Sequence, residues 1–229
     1  MEKQQVLNTL KLLKEKSIKK NFTQSVDLLI NLRGLDLKKP DHKVDSYVPL
    51  PHSLGKKIKL CALVDEQLNA QAKKLFDTVI LKSEFDKWKK DPKAQKKLAE
   101  THDYFVAQAE VMVPVAATFG KILGARGKMP SPKAGCVIPG ATNLEPIVTR
   151  LQNTIRLQTK NELSLKATIG TEKMDDSEIA DNVLAAYNNV LPKLPQEKNN
   201  VRYVALKLTM SPLVKINTEE KSEKKKKHG

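Results

Sequence analysis

A chain of 229 residues with 41 Lys and Arg against 26 Asp and Glu carries a net charge of +15, and a globular surface this basic is expected to meet a polyanion, most often nucleic acid. Its 40% hydrophobic content supports one large or two small cores, and no apolar run approaches the roughly 20 residues that cross a membrane. Aromatic residues make up only 4%, which disfavours stacking on many unpaired bases and favours contact with a folded or double-stranded backbone.

The chain opens on a polar amphipathic segment rather than a signal peptide. Val6, Leu10 and Leu13 recur at helical spacing over residues 2–16. The basic cluster Lys14, Lys16, Lys19 and Lys20 follows. From Val26 the pattern turns strand-like. Val26, Leu28, Ile30 and Leu32 share one face, and Thr23, Ser25, Asp27, Leu29 and Asn31 the other. Residues 33–56 are dense in turn residues and read as a linker or hinge, ending in PLPHSLGKK.

The grammar then changes. KIKLCALV (57–64), DTVILKS (77–83) and DYFVAQ (103–108) are short strands. Between them lie helical segments, EQLNAQAKKLF and then EFDKWKKDPKAQKKLAETH, the latter interrupted at Asp91-Pro92. VPVAATFGKILG is a further helix with Pro114 near its start. Alternating strands and helices imply parallel strands with right-handed crossovers.

The grammar changes again after residue 144. NLEPIVTRLQN is a short helix. IRLQ (155–158) and LSLKATIG (163–170) alternate around a polar turn and read as a hairpin, with Arg156, Lys166 and Thr168 on the polar face. Met174 to Ser177 supply an N-cap for a helix over 178–190, which Pro192 and Pro195 stop. VRYVALKLTM (201–210) is a last strand, with Arg202, Val204, Leu206, Leu208 and Met210 on one face and Tyr203, Lys207 and Thr209 on the other. The end fragments cannot bury their apolar faces separately. Residues 1–55 and 155–218 are therefore expected to build one two-layer α+β domain, with residues 56–154 inserted as a three-layer, Rossmann-like α/β domain. Residues 219–229 form a basic tail, expected to be disordered. Two crossings, near 50–56 and 150–155, form a natural hinge.

No catalytic set emerges, and an enzyme is not expected. The run FGKILGARGKMPSPKAG, residues 119–135, holds four glycines, two prolines and the cations Lys121, Arg126, Lys128 and Lys133. It fails the phosphate-loop pattern, because Met129 follows Gly127-Lys128 and Ile122 stands five positions before Gly127. A dinucleotide fingerprint should follow the first strand of the unit, yet Asp65-Glu66 stand there. The run reads as a rigid loop whose cations are candidates for a secondary contact with RNA. Cys61 and Cys136 lie far apart beside apolar residues, as packed thiols of a reduced cytosolic protein. The histidines (His42, His52, His102 and His228) lack zinc spacing, so no metal or cofactor is expected. The lysines of residues 87–97 ride a helix and read as a solvated face. The polar face of the composite sheet is more informative. It gathers Ser25, Asp27, Arg156, Lys166, Lys207 and Thr209, in which cations position phosphates while hydroxyls and an acid suit 2′-hydroxyls.

Three segments together, NFTQSVDLLINL with the following LDLKKPDHKVDSYVPLPHSLGKK, LGARGKMPSPKAG, and LKLTMSP, resemble the large-subunit ribosomal protein L-one family, closest to its archaeal type. The likeness runs in order from Asn21 to Pro212, with GTEKMDDSEIADN between. It implies a constituent of the large ribosomal subunit that binds the mobile-stalk region of its rRNA. It also implies help in releasing deacylated tRNA from the exit site, and repression of its own mRNA in many members. A repressor acting chiefly off the ribosome is the alternative. On the family's pattern the RNA-binding residues are Phe22, Ser25, Asp27, Thr209, Met210 and Ser211, with Lys166 and Gly170 in the intervening strand motif. There are departures: Ser211 replaces the usual glycine, Ser25 the usual threonine and Ala125 a common proline. LKATIG lacks the usual histidine and proline.

Overall fold

The structure, a computed structural model, describes residues 1–18, 20–140 and 143–216. The predicted tail (219–229) and Lys19 of the N-terminal basic cluster lie outside the described residues. In chain order the elements are α1 (Lys3–Glu15), β1 (Ser25–Leu32), β2 (Asp45–Pro49), β3 (Leu60–Val64), α2 (Glu66–Leu75), β4 (Thr78–Leu81), α3 (Phe85–Lys90) and α4 (Pro92–Thr101). They continue with β5 (Tyr104–Gln108), α5 (Met112–Ala125), β6 (Val137–Ile138), α6 (Glu145–Gln152), β7 (Thr154–Gln158), β8 (Ser164–Thr171), α7 (Asp176–Val190), β9 (Val201–Leu208) and β10 (Val214–Lys215). The chain divides into two compact units, Met1–Gly55 with Ile155–Gly229, and Lys56–Thr154. The class is mixed α/β, with an antiparallel sheet from both chain ends and a parallel sheet between them.

In the first unit the sheet order is β10-β9-β1-β8. The central strand β1 runs antiparallel to β8 and to β9. Strict alternation along β1 buries Val26, Leu28, Ile30 and Leu32. Val6, Leu10 and Leu13 of α1, and Ile179, Val183, Ala186 and Val190 of α7, are buried with them.

Several expectations fail here. IRLQ does not form a hairpin with LSLKATIG. Strand β7 pairs instead with β2, a strand hidden in the segment read as linker. Arg156 is therefore absent from the four-stranded sheet, and its guanidinium grips Asp45 through two hydrogen bonds of 2.8 Å. Strand β9 ends at Leu208, so Met210 sits in a turn and is 61% exposed rather than on the buried face. Asp175 occupies the N-cap position of α7 without making a side-chain cap.

In the second unit the parallel order is β4-β3-β5-β6. Strand β3 is buried at every position, as parallel strands covered on both sides are. Phe85, Leu98, Phe105, Val115 and Phe119 form one core cluster there. The fourth strand, β6, follows the glycine-rich run and lies beyond the predicted three. Asp91 explains the break in the lysine-rich helix. Its carboxylate accepts the Lys93 and Ala94 amides at 3.0 Å and starts α4, with Pro92 in the first turn.

Candidate nucleic-acid interface

The outer face of the four-stranded sheet is set by register. Asp27 lies between Lys207 and Thr168, Leu29 between Ala205 and Lys166, and Asn31 between Tyr203 and Ser164. Directly paired residues share a face, so three rows stand side by side, two of them polar and the middle one apolar at Leu29 and the buried Ala205. The Thr168 hydroxyl donates to the Asp27 carboxylate at 2.7 Å. Lys166 pairs with Glu162 at 2.7 Å on the surface. The hydrogen bonds from Lys166 and then Ser164 hold the Glu162 carboxyl below its usual range. Lys215 on β10 reaches over the Tyr203 ring at 4.7 Å.

One end of this sheet is held by a buried glutamine. The Gln24 amide donates to Glu172 at 2.9 Å, and the Gln24 carbonyl accepts the Glu172 amide at 3.0 Å. The Gln24 side-chain oxygen accepts the Met210 amide at 3.1 Å. The Thr209 hydroxyl accepts the Ser25 amide at 3.1 Å, and the Ser25 carbonyl accepts the Thr209 amide at 3.2 Å. Three segments distant in sequence therefore meet where β1 starts, β8 ends and β9 ends. At this end Phe22, half exposed, and Met210 present apolar surface to solvent.

Two predicted contact residues are placed differently. Ser211 is buried, and its hydroxyl accepts the Leu208 amide at 2.9 Å and donates to the Pro212 carbonyl at 3.0 Å. The side chain added in place of glycine is thus folded into the turn. Gly170 is also buried, beneath Met174, whose sulfur would stand 2.9 Å from an added Cβ. Sequence reasoning missed Gln24, Glu172 and Lys215. Gln24 sits inside the quoted NFTQSVDLL, but nothing in its spacing marks it as a clamp.

The secondary cluster divides. Arg126 is paired with Glu100 at 2.6 Å. The Lys128 ammonium donates to the carbonyls of Ala99 and His102 at 2.9 and 2.7 Å, closing the C-terminal end of α4. Burial pulls the Lys128 ammonium below the usual lysine range. Lys121 and Lys133 are exposed. Gly127 and Gly135 take positive φ of 65° and 68°, which explains glycine at both turns. Within the run Lys128 braces α4, while Arg126, Lys121 and Lys133 stand at the surface.

Cations beside hydroxyls and an exposed aromatic end can neutralise phosphates, meet 2′-hydroxyls and pack on a base. Among the described residues no group of three His, Cys, Asp or Glu could hold a metal ion, and no helix is long and apolar enough to cross a membrane.

The chain is 37% identical to the large ribosomal subunit protein uL1 of Pyrococcus horikoshii, over 94% of this chain and 96% of that protein. It is 39% identical to uL1 of Thermococcus kodakarensis, over 94% and 98%, and 36% identical to uL1 of Methanocaldococcus jannaschii, over 98% and 100%. All three relatives are archaeal. Residues 12–212 match the family model described as the ribosomal protein L1p/L10e family. Such a family is structural rather than enzymatic. The match spans nearly the whole chain, including all three strand ends that meet at the clamped end of the sheet, and the chain belongs to the ribosomal protein L1p/L10e family.

Proposed function

We propose that this protein is a structural constituent of the large ribosomal subunit that binds the stalk region of its rRNA near the tRNA exit site and assists release of deacylated tRNA. It works on cytoplasmic ribosomes. The RNA lies on the outer face and clamped end of the four-stranded sheet. Phe22 and Met210 pack on bases, Thr209, Ser25 and Asp27 meet sugar hydroxyls, and Lys166 and Lys207 face phosphates. Gly170 and Ser211 shape the backbone beneath rather than touch RNA with side chains. A messenger that mimics the stalk fits the same face, so repression of its own translation belongs to the same reading. The inserted unit acts as a three-layer, Rossmann-like body without a nucleotide.

The observation that carries this reading is the clamp itself. Gln24 and Met210, 186 residues apart, are joined by a hydrogen bond. That bond gathers the family's N-terminal and C-terminal motifs at one exposed place. Footprinting the protein on total large-subunit rRNA tests it. Protection confined to one stalk region is expected, together with co-sedimentation with large subunits at moderate salt. Protein absent from purified subunits, with no discrete footprint, overturns it.

A further inference from the structure

Away from that sheet, the densest run of exposed positive charge among the described residues lies on α3 and α4. Lys87, Lys89, Lys90, Lys93, Lys96 and Lys97 are all exposed. Among the described residues none of them has an ion pair or side-chain hydrogen bond to an acid. The one acid interleaved with them, Asp91, spends its carboxylate on the N-terminus of α4. Lys93, Lys96 and Lys97 fall at i, i+3 and i+4, one stripe opposite the buried Gln95, Leu98 and Ala99.

The two helices form a fixed ledge. The buried Gln95 amide donates to the Trp88 carbonyl at 2.7 Å, tying the end of α3 to α4. Lys128 closes the far end of α4. Trp88 is the chain's single tryptophan. Its ring tilts against Phe119 at a centroid distance of 6.1 Å, and the half-buried residue lines a shallow depression with Lys87, Asp91 and Ala94. A charged stripe next to a half-buried aromatic residue is the composition of a backbone-tracking, base-stacking surface. A membrane-surface helix needs its apolar face outward, whereas Phe85 and Leu98 are buried in the core of this unit.

We propose that the α3–α4 ledge is a second RNA-contact surface. Lys87, Lys93, Lys96 and Lys97 neutralise backbone phosphates, and Trp88 lies against an unpaired base held in the depression. This rests on the reading of the chain as an RNA-binding protein, but it uses none of the residues of the sheet.

Trp88 reports on its own site. The full chain is titrated with a short single-stranded RNA of unrelated sequence while tryptophan emission is followed, in wild type, in Phe22→Ala and in Lys93→Gln/Lys96→Gln/Lys97→Gln. Emission of the wild type and of Phe22→Ala should be quenched alike. The triple variant should need several-fold more RNA, and the slope of log affinity against log salt should become shallower by about 2, from roughly 0.7 per single-strand phosphate lost. RNA binding that saturates without any change in Trp88 emission overturns the proposal. So does an unchanged salt slope in the triple variant, or quenching by anionic vesicles or a polyglutamate peptide but not by RNA. If Phe22→Ala leaves affinity for the stalk rRNA intact while the triple variant loses quenching, the sheet reading fails and the ledge stands.

Discussion

The amide of Met210 donates to the side-chain oxygen of Gln24 at 3.1 Å, and the same side chain offers its nitrogen to Glu172 at 3.4 Å. Gln24 is 1% exposed, and its side chain ties the half-buried Glu172 and the exposed turn at Met210 to the start of β1. Gln24→Ala removes both bonds and the buried packing of the side chain, and should destabilise the fold by about 1–3 kcal/mol. Urea denaturation measures this, and RNA affinity should fall with it. Stability unchanged within about 0.5 kcal/mol would show that the three segments hold together without the glutamine.

Phe22→Ala acts on the surface alone, whereas Thr209→Val also removes the acceptor of the Ser25 amide. Each should weaken binding to a stalk-rRNA fragment by about 1–3 kcal/mol, the scale of one specific contact. Filter binding at fixed salt is the measurement, with circular dichroism confirming that Thr209→Val, which loses the acceptor for the Ser25 amide, still folds. Full affinity in both variants would remove the sheet end from the RNA site.

Gly55 has a φ of +65°, and an added Cβ would stand 2.7 Å from the Thr171 hydroxyl oxygen and 3.2 Å from the Met174 sulfur. Three residues earlier, the His52 amide is bound by the Asn182 side chain at 3.1 Å, so the segment has little freedom to shift. Gly55→Ala should lower stability by at least the roughly 1–2 kcal/mol of a left-handed backbone. A thermal melt unchanged from wild type would mean that this segment relaxes at no expense.

Asp77 provides a pH test. Partial burial raises its carboxyl. The Leu60 amide at 3.0 Å and Lys57 at 3.1 Å outweigh that and hold it below the ordinary aspartate value of 3.8. A lowered folded-state value means the unfolded chain binds the proton more readily. The stabilisation is thus complete above about 3.8 and is lost as pH falls through the folded-state value. The stability gap between wild type and Asp77→Asn should therefore be constant from pH 7 to 5 and shrink below pH 4. A gap that stays constant down to pH 2.5 would contradict the assignment.

Both cysteines should be silent towards a chromogenic disulfide reagent at pH 8. Burial raises the Cys61 thiol strongly, and burial pushes Cys136 up to about 11. Two thiols should react once the protein is unfolded, and fast reaction in the folded state would show that one of them reaches solvent.

The legible parts of the fold were those with a clean period. Strand β1 alternates without a fault, and α1 repeats its apolar residues every three or four positions, so both were readable from side-chain order alone. Strand β2 was not, because Asp45-Ser46-Tyr47-Val48-Pro49 is short, half polar and flanked by turn residues. Its partner β7 was readable as a strand but not its pairing, since period 2 says nothing about which neighbour is taken. Two-residue strands such as β6 and β10 carry no period at all. At the site, Phe22 and Thr209 came from the family motif. The inward turn of Ser211 came only with the structure, because a serine can satisfy its own turn or face a ligand with equal ease.

Strand β1 lies at the centre of its sheet, yet both of its neighbours are made late, at residues 164–171 and 201–208. During synthesis the inserted unit, being continuous in sequence, has all its strands by residue 138. The sheet that carries the proposed RNA face has only its middle strand at that moment. It must wait for β9, and the Met210 amide that closes its end comes later still. A chain interrupted before that point would lack the closed end of the proposed RNA face. The topology thus makes that face one of the last parts of the chain to be assembled.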